Sequence, residues 1–163
     1  MIIIEEGKLN NQKEETEKIY RSISKIFCPY LKVNVHFNLL GFEHLLKKSW
    51  NRGRSTLEQY TRLKLFLAVP KILSICHTLQ EYDEREILVR EKTNSNWLLR
   101  KKKVYYFVFI ALLREQNVRF KIVVKQIEGG EKFFWSIYPS WSTKLDKSGN
   151  YHRHLYFGNL EED

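Results

Sequence analysis

Ten residues of this chain have types that together suit phosphate chemistry: His44 with Lys47 and Lys48, Arg52 and Arg54, Arg62, Lys121 and Lys125, Ser136 and Tyr138. A histidine exchanges a proton near neutral pH. Arginine and lysine supply fixed positive charge, and a serine hydroxyl can meet an oxyanion. Metal-free cleavage of RNA calls for such a set. A base removes the 2′-hydroxyl proton, an acid protonates the leaving 5′-oxygen, and cations stabilise the phosphoryl oxygens. Among them Lys47, Lys48, Arg52 and Arg54 follow His44, and Lys121 and Tyr138 flank Lys125 and Ser136, as candidates for holding a nucleic acid. His44, Lys47 and Lys48 are spaced to share one helix face. Trp50, Tyr138 and Trp141 are aromatics of the kind that stack on bases. Each has a plainer reading: a helix-surface histidine, a solvated or salt-bridged arginine, the wet side of a sheet, or ordinary aromatic packing.

Other chemistries find little support. His152 and His154 alternate about Arg153, which repels a cation, and no carboxylate or cysteine is near, so no metal site is expected. Phosphate-binding glycine loops and the serine-hydrolase and zinc-protease signatures are missing, so no cofactor is expected. Cys28 and Cys76 are far apart in sequence and read as reduced, buried small hydrophobes.

The elements that must position these groups follow from the patterning. The stretch Val118 to Trp141, VRFKIVVKQIEGGEKFFWSIYPSW, reads as a β-hairpin about Gly129-Gly130. A two-residue turn sets Lys125 opposite Phe134, Val123 opposite Ser136 and Lys121 opposite Tyr138. It places Phe120, Ile122 and Val124 on the other face with Phe133, Trp135 and Ile137. Residues 8–27 carry a helical face of Ile19, Ile23, Ile26 and Phe27, ended by Pro29. Lys32 to Leu39 alternates as a strand. FEHLLKKSW is a short helix, and Ser55-Thr56-Leu57-Glu58 is a capping box that opens a longer one, divided at Pro70. Strands follow from Asp83 onward. The expected fold is α+β, with N-terminal helices packed on one face of an antiparallel meander of about four strands. Residues 1–32 read as a helical extension and 33–163 as the main domain, in one compact unit.

The chain has 163 residues and a formal net charge of +9. That favours an anionic partner, either nucleic acid or an acidic protein or membrane surface. The excess lies in two blocks, His44 to Lys71 with seven basic residues and one acid, and Leu99 to Lys125 with eight and one. The apolar run Val104 to Leu113 is about half what a membrane-spanning helix needs. The opening MIIIEEGK lacks the basic start and long apolar core of a leader. A soluble, cytoplasmic protein is expected.

The segments NVHFNLLGFEHLLKKS, RLKLFLAVPKIL and KFFWSIYP, in that order, resemble phage- and mobile-element-associated domains of the barnase–EndoU–colicin–RelE (BECR) nuclease superfamily. The resemblance covers about residues 33 to 141. It implies a metal-independent ribonuclease, many of whose relatives are toxins, with helices on a four-stranded antiparallel sheet. It places catalytic groups at His44, Arg62, Lys125 and Ser136. It also implies RNA as substrate and an acidic antitoxin or immunity protein as partner. The alternative is a basic domain that binds nucleic acid or an acidic partner without chemistry. Convergence of those four residues on one site separates the two.

Overall fold

The computed structural model describes residues 3–48, 52–145, 147–148, 151–155 and 159–163, with the backbone alone for 116, 141–145 and 151–155. Four helices are α1 (Glu6–Ser22), α2 (Leu39–Leu46), α3 (Thr56–Phe66) and α4 (Val69–Ile75). The strands are β1 (Lys25–Cys28), β2 (Val33–His36), β3 (Glu81–Thr93), β4 (Asn96–Leu113), β5 (Val118–Ile127), β6 (Lys132–Pro139), β7 (Trp141–Leu145) and β8 (Tyr151–Leu155). Six of them form one sheet in the order β1-β2-β6-β5-β4-β3, and β7 pairs with β8 separately. The α+β class holds. The sheet differs from the expected meander in two ways: it has six strands, and it is mixed, because β2 runs parallel to β6.

The two extra strands come from the N-terminal segment. Ile23, Ile26 and Phe27 do not continue the first helix, which stops at Ser22. Lys25–Cys28 pairs antiparallel with β2 instead. β-branched and aromatic residues lose little in a strand, and here they gain a ladder partner. The face that α1 buries is Gln12, Thr16 and Tyr20. The Gln12 amide donates to the Thr16 hydroxyl at 3.1 Å, which donates to the Leu63 carbonyl of α3 at 3.2 Å. These polar groups are satisfied inside, so an apolar stripe is not needed to dock α1.

The helices cover one face of the sheet. Tyr20, Phe37, Phe42, Leu45, Leu63 and Phe66 pack there against Phe109, Phe120, Ile122, Val124, Phe134 and Ile137. Pro70 lies in the first turn of α4 and divides it from α3, and the capping box at Ser55 and Glu58 is formed in both directions. Cys28 and Cys76, distant in sequence, meet here with their sulfurs 3.5 Å apart. On the opposite face a smaller cluster joins Val104, Tyr106, Val108, Val123, Tyr138 and Leu160.

Gly41 sets how closely α2 approaches β6. A Cβ at this position would overlap the Phe134 carbonyl oxygen and crowd the Tyr20 hydroxyl. Backbone on that side cannot yield cheaply. Gly41→Ala is therefore expected to cost about 1–3 kcal/mol, read as a lower urea midpoint with an unchanged slope.

Candidate functional site

The site is built around Trp135, and a β-bulge puts it there. Lys121 faces Tyr138 and Val123 faces Ser136, as the hairpin pattern requires. The next pair is Val124 with Phe134, which leaves Trp135 as the extra residue of β6. The bulge shifts the rest of the strand. Lys125 lies opposite Phe133, not Phe134, and the connection exceeds a two-residue turn, with Gln126 opposite Lys132. Gly129 still supplies the positive φ, +79°. Trp135 therefore leaves the helix-covered face and packs with the Tyr106, Val123 and Tyr138 cluster. A bulge lets neighbouring side chains turn the same way, which an unbroken strand forbids.

Three elements bring side chains to that indole and to Ser136 beside it. From α2, the His44 ring stacks on Trp135 with centroids 3.9 Å apart. From β5, Lys125 Nζ lies 3.8 Å from the Trp135 ring centroid. From α3, which packs beside β6, Arg62 Nη1 donates to Ser136 Oγ at 2.7 Å. Its guanidinium is 5.4 Å from the Tyr138 ring. Arg54 joins from the loop before α3. Its Nε donates to the His44 carbonyl at 3.0 Å, and its Nη2 is 3.1 Å from His44 Nε2. His44, Arg54, Arg62, Lys125, Ser136 and Tyr138 are each at most 5% exposed.

Residues 159–163 lie over this cluster. The Glu161 carboxylate accepts from Lys125 Nζ at 2.7 Å with both oxygens, and from the Tyr106 hydroxyl. Trp135 Nε1 donates to the Leu160 carbonyl at 3.0 Å, and Arg54 Nη2 to the Glu162 carbonyl at 2.7 Å. His44 Nε2 is 2.8 Å from the Asp163 backbone oxygen. Arg85 Nη1 donates to Asn159 Oδ1 at 2.5 Å.

The electrostatics follow from this packing. Burial first, then the Arg54 charge, pushes His44 down to about 3, with Arg62 and Lys125 adding to the effect. The imidazole is therefore neutral at pH 7 and can accept a proton but not supply one. Burial also pushes the Lys125 ammonium down, opposed by Glu161. Burial and then the Glu161 bond push the Tyr106 phenol up, so it stays protonated as a donor.

Among the expected residues, His44, Arg62, Lys125 and Ser136 come together, and Arg54 and Tyr138 join them. His44 is not a surface histidine. Helix α2 ends at Leu46, so Lys47 and Lys48 do not share its face: Lys47 is extended backbone bridged to Gly53, and Lys48 reaches Glu58 at 4.0 Å. Arg52 lies on the rim, 3.4 Å from Glu162. Lys121 is paired with Glu81 at 2.7 Å, 11% of its side chain exposed. Trp50 lies outside the described residues, and so do the side chains of Trp141, His152 and His154. Sequence reasoning missed Trp135, Tyr106 and Glu161. The surplus residue between Val123–Ser136 and Val124–Phe134 has no local sequence mark, and an acidic LEED run reads as solvated surface.

No protein-family model, curated protein or solved structure matches the chain. Among the described residues, no helix is long and apolar enough to cross a membrane.

The low His44 value has a stability consequence. The unfolded chain binds a proton here near 6.5 and the folded chain only near 3. The contribution of neutral, buried His44 is full above about 6.5 and is lost as pH falls toward about 3. The wild-type advantage over His44→Gln in urea unfolding is expected to shrink across that window. An NMR titration should show no His44 protonation down to pH ~4.

Proposed function

We propose that the chain is a metal-independent ribonuclease that cleaves RNA by 2′-hydroxyl attack on the adjoining phosphodiester. The observation that carries this reading is the convergence of His44, Arg62, Lys125 and Ser136 about Trp135 and its neighbour from four separate elements, α2, α3, β5 and β6. Arg62 and Lys125 stabilise charge on the phosphoryl oxygens. Ser136, oriented by Arg62, donates a hydrogen bond from its hydroxyl to one of those oxygens. His44, neutral at pH 7, takes the 2′-hydroxyl proton as the O2′–P bond forms, and the imidazolium so made gives it to the 5′-oxygen as the P–O5′ bond breaks. Arg54 and Tyr138 border the same site and hold the flanking nucleotide. The proposed setting is a toxin module of the BECR superfamily acting in the cytoplasm, with an acidic antitoxin or immunity protein as its partner.

One observation favours the second reading, a basic domain that binds RNA or an acidic partner without turning it over. His44 is almost fully buried, and a conjugate acid near 3 makes a weak base. The two readings differ in turnover, since charge alone gives affinity and a salt slope.

Single-stranded RNA incubated with the protein in excess chelator should be cut. Arg62→Ala should lower the rate by about 10²–10³-fold, with folding checked by circular dichroism. His44→Gln should slow cleavage by about 10²–10⁴-fold. RNA that binds in a salt-dependent way but stays intact in chelator replaces this reading with the binding one.

A further inference from the structure

We propose that residues 159–163 are a built-in occupant of the cationic site, holding it closed in the place of an RNA phosphate. The inference rests on the reading of that site as the one that takes RNA. Its own basis is the contact pattern of this segment. Glu161 presents two oxygens to one ammonium and accepts a third bond from a phenol. A phosphodiester has two non-bridging oxygens of similar reach and the same unit charge, so these donors suit either group. The remaining bonds are made with backbone carbonyls. Leu160 takes the Trp135 indole N–H, Glu162 takes Arg54, and Asp163 meets His44. Each of these partners belongs to the site, and the segment meets them along four consecutive residues, Leu160 to Asp163.

The segment is held mostly by polar contacts. Leu160 is its one apolar anchor, seated against the Tyr106, Val123 and Tyr138 cluster. Glu161 keeps 29% of its side chain in water and Glu162 37%, so water and salt reach the contacts that fasten it. Chain connectivity supplies the segment at high local concentration, which makes even a weak fit a strong competitor. RNA offers successive phosphates and so exchanges one set of anions for another. The cations need not face an empty, water-poor site at any point in that exchange. Lys125 is the group on which the two occupants compete, because its side chain is only 4% exposed and both Glu161 oxygens are bound to it. In this account the segment lowers the apparent affinity for RNA by the fraction of time it is seated.

Amide hydrogen exchange of residues 159–163 in the full chain tests the inference, read alone, with a single-stranded RNA oligonucleotide and with inorganic tripolyphosphate. Both polyanions are expected to raise exchange in this segment. Glu161→Gln, which keeps size and removes the charge, is expected to bind RNA about tenfold more tightly. Glu115→Gln makes the same charge change at an exposed turn and is expected to leave affinity unchanged. RNA that binds while residues 159–163 keep their protection overturns the proposal and leaves the RNA reading intact. Tripolyphosphate that opens the segment while RNA does not bind supports the internal occupant and removes RNA as its rival. If neither polyanion binds to the wild type or to Glu161→Gln, the segment is an ordinary part of the fold and the proposal fails.

Discussion

A lysine ammonium withdrawn from water needs a counter-charge, and in this protein the rest of the site follows from how Lys125 is given one. Its neighbours cannot do it. His44 is neutral, Arg54 and Arg62 are cationic, and both arginines act on the same imidazole that Lys125 does. Packing like charges at low exposure is costly unless each is bonded and the sum is offset. Glu161 supplies the offset to Lys125 directly. The histidine responds in the other way open to a titratable group, by staying neutral. Aromatic faces help further, since Lys125 lies over Trp135 and Arg62 over Tyr138.

That arrangement depends on one backbone irregularity. With regular alternation from Val123–Ser136 onward, Trp135 would pair with Val124 and join Phe134's present neighbours under the helices. His44 would lose its stacking partner and Lys125 the ring beneath it. The extra residue lets Phe134 fill the helix-side core while Trp135 stays with the polar groups. Gly41 contributes from the other direction, because α2 carries His44 and its close approach to Phe134 needs a residue without Cβ. The site is thus held by backbone features of β6 and α2 as much as by the side chains that would act in it.

Local signals in the sequence carried well into the structure. The capping box at Ser55, the division at Pro70 and the pairing of Lys121 with Tyr138 and Val123 with Ser136 depend on residues close in the chain or on simple alternation. Residue types gave ten cationic and hydroxylic candidates, the resemblance of the surrounding segments picked out 44, 62, 125 and 136, and the fold brings these four together. What was not legible depends on distant partners. Residues 25–28 had helical spacing and became a strand because β2 lay alongside. His44 had the spacing of a surface position and became buried because Trp135 and residues 159–163 close over it. The parallel β2–β6 contact, which changes the sheet from a meander to a mixed sheet, leaves no mark within either strand.

The central claim is that RNA enters at the Trp135 cluster. The most direct measurement is an NMR titration with a 2′-O-methyl oligoribonucleotide, which cannot supply the attacking hydroxyl and so stays whole. The signals to follow are the Trp135 indole N–H and the Arg62 guanidinium N–H. The account predicts that both move in a saturable manner with the same dissociation constant, as Trp135 loses the Leu160 carbonyl and Arg62 meets a phosphate beside Ser136. Saturable binding with both signals unmoved, and shifts confined to the β3–β4 arm or to Lys47 and Lys48, would contradict it.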